Sequence, residues 1–158
     1  MHTSSQRRTD AASRTIKASP EVIYAALVDP AAIATWRPPG GMTGEFHTFE
    51  PRVGGGYRMS LRYLDADHRV PGKFSADEDV VEGRFVELVP HQRVVEAVEF
   101  DASDAAFAGE MVITTSLTPV PGGTEVTITC TNVPPGIREE DHQAGLASTL
   151  ANLAAYTE

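Results

Sequence analysis

The segment Ile137–Tyr156, IREEDHQAGLASTLANLAAY, decides how the rest of the chain must fold. Leu146, Leu150 and Leu153 recur at i, i+4 and i+7, which places them on one side of a helix with His142 one turn ahead of them. The stripe is narrow. Ala144, Ala147, Ala151, Ala154 and Ala155 flank it, so the helix can lie close against other backbone over much of its circumference. Glu139, Glu140 and Asp141 crowd the first turn, where carboxylates complement the positive end of the helix dipole and its unpaired N–H groups. Pro134-Pro135-Gly136 just upstream breaks the preceding element, so the helix start is well marked. A helix with so slim an apolar face needs a concave partner.

The residues before it supply one. From Gly44 the hydrophobic period changes towards 2, and six runs separated by turn residues predict an antiparallel meander. The first run is Glu45–Glu50, with Phe46 and Phe49 unassigned to a face. The second, Tyr57–Leu64, sets Tyr57, Met59, Leu61 and Tyr63 on one side and Arg58, Ser60 and Arg62 on the other, where the arginines meet solvent. Asp65–Asp79 is polar and long for a hairpin connection and is expected to form a flap, its Asp77-Glu78-Asp79 cluster solvated. Val80–Val89 points Val81, Gly83 and Phe85 inward, but Leu88 falls out of phase and predicts a bulge. Val94–Phe100 follows; Glu110–Leu117 buries Met111, Ile113 and Leu117; Thr124–Thr131 buries Val126, Ile128 and Cys130 after a Pro121-Gly122-Gly123 hairpin.

Upstream, Met1–Ala12 is polar and aperiodic and reads as a loose arm, and Ser13–Ala18 as a short first strand. Ser19-Pro20 and Asp29-Pro30 each pair an N-cap residue with a proline suited to the first helical turn, predicting two short helices. Val22, Ile23, Ala26 and Leu27 form the inner stripe of the first; the second ends at Trp36 before Pro38-Pro39-Gly40-Gly41. The order is strand, two helices, six strands, long helix. A seven-stranded antiparallel sheet has one apolar face to bury, and only the last helix is long enough to cover it, so the fold class is α+β with the sheet curled around that helix.

Size and composition fit this picture. A chain of 158 residues with 41% hydrophobic and 22% charged residues is expected to be one globular domain over 13–158. A formal charge of −9 opposes the phosphate-neutralising term of nucleic-acid or anionic-membrane binding, so neither is an expected partner. No apolar run is long enough to span a bilayer, and one cysteine, Cys130, forms no internal disulfide, so a cytoplasmic location is expected. The histidines His2, His47, His68, His91 and His142 lack metal-ligand spacing, and no nucleophile elbow, phosphate loop or zinc motif is present. No cofactor or metal is expected; a homodimer through a sheet edge or the helix is compatible with the pattern.

The runs ASPEVIYAALVDPAAIATW (18–36), FEPRVGGGYRM (49–59), GRFVELVPHQRVV (83–95) and GGTEVTIT (122–129) resemble the AHSA1-type branch of the START/Bet v 1-like (SRPBCC) superfamily in residue type and spacing. The resemblance spans Ser13 to Tyr156 and implies the helix-grip fold, with a cavity between sheet and C-terminal helix. It implies for function a small hydrophobic ligand such as a lipid or polyketide-like metabolite, or cyclase or dehydratase chemistry in the same cavity, or stimulation of an Hsp90-type ATPase, for which the branch is named. One departure stands out: the family commonly carries a Gly-Trp pair early in the last helix, and here the pair is Gly145-Leu146. Losing the indole should enlarge the cavity there.

The expected cavity lining is Trp36, Tyr57, Met59, Phe85, Met111, His142 and Leu146. Aromatic and thioether groups adapt to apolar ligands, and a tyrosine hydroxyl can orient one. The plainer reading is that these side chains fill the core. His142 at the mouth of the groove suits a hydrogen bond or acid–base help; against that stands a half-exposed helix histidine with no role. The leading expectation is binding without catalysis.

Overall fold

The computed structural model describes residues 8–37, 42–63, 78–100 and 110–158. Its elements in order are β1 (Arg8–Ile16), α1 (Pro20–Leu27), α2 (Pro30–Trp36), β2 (Met42–Phe49), β3 (Gly56–Tyr63), β4 (Glu78–Val89), β5 (Arg93–Phe100), β6 (Glu110–Val120), β7 (Gly123–Val133) and α3 (Glu139–Thr157). The seven strands form one curved antiparallel sheet ordered β1-β7-β6-β5-β4-β3-β2, so β1 and β2, joined through α1 and α2, are its two edges. α3 lies along β1 and touches both short helices. This is the expected helix-grip arrangement.

Local chemistry accounts for the helix starts. Ser19 Oγ accepts from Val22 N–H at 3.2 Å and Asp29 Oδ1 from Ala31 N–H at 3.1 Å, each capping a helix whose first residue is proline. The two helices are tied together by the Trp36 indole, which donates to the Ala26 carbonyl at 2.9 Å within the core. Tyr57 lies across from Gly83, where a methyl group would overlap its ring; the glycine lets the phenol lie flat on β4.

Two expectations change. The polar arm gives way to strand at Arg8, five residues before the predicted start of β1, because Asp10 pairs with Cys130 on β7 and is buried. Polar composition misleads there, since Asp10 is satisfied by Arg8 on its own strand and by His142 of α3. Val22 is not on the inner stripe but 49% exposed; α1 buries Ile23, Ala26 and Leu27. Thr115, unassigned in the alternation of β6, is buried beside Met111 and Leu117. The bulge expected from Leu88 is present as a register shift between Phe85 and Glu87. The flap expected over 65–79 falls largely outside the described residues. On the outer face Arg58 pairs with Glu82 and Arg62 with Glu45. Among the described residues no helix is long and apolar enough to cross a membrane.

Candidate functional site

The curved sheet and α3 do not close completely on each other. Between them lies a cavity of about 290 Å³ with a predominantly apolar lining. Its floor is built from β3 to β7 by Tyr57, Met59, Val98, Met111 and Cys130. Its roof is α3, through His142, Gly145, Leu146, Ser148, Thr149 and Leu153, and one end is closed by Leu27, Trp36 and Arg37 from the short helices. Of the seven residues expected to line it, Trp36, Tyr57, Met59, Met111, His142 and Leu146 do so. Phe85 does not: it is 1% exposed and packs behind the wall, with ring centroids 5.7 Å from Tyr57 and 5.8 Å from Phe49. The bulge that follows Phe85 shifts the register of β4 next to it.

Gly145 carries the space that the helix leaves open. A methyl group there would meet nothing within 4 Å, and the neighbouring Leu146 covers only part of the roof.

Besides the hydroxyls of Thr115, Ser148 and Thr149, two polar clusters break the apolar lining. At the end formed by the short helices, Arg37 grips Glu96 with two parallel bonds, Nη1 to Oε1 and Nη2 to Oε2, both 3.1 Å. The Tyr57 hydroxyl donates to Glu96 Oε1 at 2.6 Å and accepts from Arg37 Nη1 at 3.1 Å. Glu96 is 2% exposed, so its charge is sustained by this geometry. Burial alone lowers the Arg37 pKa, but the Glu96 carboxylate, with help from Tyr57, outweighs it and holds the guanidinium charged. Burial, reinforced by Glu96, pushes the Tyr57 phenol far up, so it remains a proton donor.

At the other end, His142 Nδ1 and Asp10 Oδ2 are 2.6 Å apart, with Asp10 2% exposed. Arg8 Nε donates to both Asp10 oxygens at 2.8 and 3.0 Å, and its Nη2 donates to the Ile137 carbonyl at 2.7 Å. These contacts pin β1 to the start of α3. The bond from Arg8 depresses the Asp10 pKa most, with His142 adding to it and burial opposing. An ionised Asp10 accepts, so Nδ1 carries the hydrogen and Nε2 is left without a partner among the described residues.

Between the two ends stand Cys130, whose thiol is pushed up to about 12 by burial and then by Asp10 and Glu96, and Thr115, 4% exposed, whose hydroxyl has no partner among the described residues. A thiol so protonated is no nucleophile near neutral pH. Among the described residues no three His, Cys, Asp or Glu cluster as a metal would require.

The sequence reading passed over Arg37, Glu96 and Asp10. Glu96 had a signal: Val94, Glu96 and Val98 alternate on one face, which sets a carboxylate among inward valines. Arg37 and Asp10 had none, since Glu96 and His142, which give them their place at the cavity, lie 59 and 132 residues from them.

A family model described as Activator of Hsp90 ATPase homolog 1-like protein matches residues 17–158. The chain is similar to a crystal structure of a Chromobacterium violaceum protein, 33% identical over 95% of this chain and 96% of that one, with a TM-score of 0.83. Two more distant structures share the fold: a Rhodobacter sphaeroides protein, 22% identical over 96% and 91% of the two chains at a TM-score of 0.75, and an AHSA1-like protein from Aeromonas hydrophila, 19% identical over 94% and 91% at 0.71. No curated protein matches the chain significantly.

Proposed function

The chain belongs to the family of Activator of Hsp90 ATPase homolog 1-like proteins, and on that premise we propose that it binds a small hydrophobic molecule, such as a lipid or polyketide-like metabolite, between its sheet and α3. The observation that carries this reading is the cavity itself: about 290 Å³, walled by Trp36, Met59, Met111 and Leu146, and widened where Gly145 leaves room over the roof. A packed core has few voids larger than a water molecule, so a space of this size lined by such groups suits an apolar guest. The test is titration with the neutral fluorophore N-phenyl-1-naphthylamine, alongside native mass spectrometry of protein purified from cells. One-site saturable binding supports the reading. Absence of both saturable binding and a co-purified small molecule removes it.

A second reading, a cyclase or dehydratase acting on a polyketide-like substrate, is favoured by one observation: His142 is held by a buried carboxylate at the cavity wall, as a general base would be. Tyr57, in contrast, already donates to Glu96 and serves as an orienting donor rather than a base. Turnover of a poly-β-keto thioester that is lost in His142→Phe would establish this reading, and recovery of unaltered substrate from the wild-type protein would end it.

A further inference from the structure

The two buried carboxylates are related by the sheet. Asp10 pairs with Cys130, Cys130 with Ile113, Ile113 with Glu96, and Glu96 with Phe85, so a single cross-strand row runs from β1 through β7, β6 and β5 to β4. Directly opposed residues share a face, and Asp10, Cys130, Glu96 and Phe85 are all buried. Asp10 and Glu96 stand three strand spacings apart, about 14 Å along the sheet. Each carries a polar side chain from another element into the cavity lining: Asp10 holds His142 of α3, and Glu96 holds Arg37 and Tyr57. Cys130 and Ile113 line the floor between them.

The two ends differ in hydrogen-bond sense. At the Glu96 end the carboxylate is occupied by Arg37 and Tyr57, while Arg37 Nε and one hydrogen of Nη2 remain unused among the described residues. That end offers donors of nearly cancelled charge, which suits a neutral carbonyl oxygen better than a carboxylate. At the Asp10 end His142, when neutral with its hydrogen on Nδ1, offers only an acceptor, Nε2.

From this row we propose that the cavity is a bipolar site for an apolar molecule with a carbonyl at one end and a hydroxyl at the other, the carbonyl received by Arg37 and the hydroxyl by His142. The proposal rests on the hydrophobic-ligand reading and specifies its substrate class. Asp10 is a positioning residue: its role is to fix the tautomer of His142 and so the sense of the bond. Thr115, buried on the floor, supplies a further hydroxyl that can turn towards either ligand group.

Four naphthalenes of similar shape test it: 2-ethylnaphthalene with neither group, 2-acetylnaphthalene with the carbonyl, 2-naphthalenemethanol with the hydroxyl, and 6-hydroxymethyl-2-acetylnaphthalene with both. They are titrated by calorimetry near pH ~8. Each matched group should tighten binding roughly fivefold, and the doubly substituted probe should bind tightest. His142→Phe should lose the hydroxyl increment and keep the carbonyl one. The imidazole 15N shifts should report an Nδ1–H tautomer whose Nε2 resonance moves with the hydroxyl probes alone, and Asp10→Asn should blur that tautomer in folded protein. Equal affinities across the four probes in the wild-type protein overturn the bipolar site while leaving hydrophobic binding intact. Binding of none of them overturns both. A hydroxyl increment retained in His142→Phe, or an Nε2–H tautomer in the wild type, overturns the assignment to His142.

Discussion

At the scale of single residues, the balance between charge burial and pairing governs what substitutions do. Glu96→Ala leaves Arg37 without its counter-ion beside an apolar cavity, and breaking such a buried pair costs roughly 3–5 kcal/mol. Tyr57→Phe removes the two hydrogen bonds of the phenol and leaves the ion pair, costing about 2 kcal/mol. Urea unfolding of both variants should therefore separate them clearly, and equal costs would mean that the pair is not held as described. Gly83→Ala acts on the same group from below: a methyl overlaps the Tyr57 ring, so the ring must tilt off β4 and the Glu96 bond must lengthen. The Asp10 cluster carries a pH signature. Its folded pKa is depressed, chiefly by Arg8, so its stabilisation is complete above the ordinary carboxylate value of about 3.9 and is lost as pH falls through the lower folded value. The stability difference between wild type and Asp10→Asn should thus shrink as pH falls below about 5. A difference that grew over that acidic range would contradict the sign.

At the scale of elements, α3 performs two tasks with one stripe. Leu150 is 2% exposed and absent from the cavity lining, whereas Leu146 and Leu153 both pack in the core and line the cavity. The division into a pocket half and a core half, which the narrow leucine stripe suggests, is therefore not clean, because the cavity reaches a full two turns past Leu146 to Leu153. Leu150→Ala should cost about 2–5 kcal/mol and Leu150→Asp should abolish cooperative folding. Leu146→Trp restores the indole common in the family and directs it at open space. It should keep the unfolding midpoint of the wild type and lose binding of 2-acetylnaphthalene; parallel loss of stability and binding would show that Leu146 is core alone.

At the scale of the whole molecule, a guest bound between sheet and helix stabilises only the folded state. At a ligand concentration 100 times Kd the gain is about 2.7 kcal/mol, which for a chain of this size raises Tm by roughly 5–10 °C. Thermal unfolding with and without N-phenyl-1-naphthylamine measures it, and binding without a Tm shift would place the dye on the surface or on unfolded chain. The outer face carries ion pairs such as Arg58–Glu82 and Arg84–Glu110, which are exposed and contribute little individually.

What the sequence determined by itself is the architecture. Periodicity, two Ser/Asp-Pro helix starts, turn glycines and one slim leucine stripe are local signals, and together they left a single way to bury one sheet face. They also selected six side chains of the cavity wall, because inward alternation is readable along the strands for Tyr57, Met59 and Met111 and the helical stripe for His142 and Leu146, with Trp36 at the end of α2. The tertiary structure alone decided the polar ends of that wall. Asp10 looked like part of a solvated arm and Arg37 like a residue trailing off a helix, and each acquires its meaning from a partner brought close by the fold. A buried charge is tolerated only where such a partner arrives, and which partner arrives is fixed by how the helices pack on the sheet rather than by neighbours in the chain.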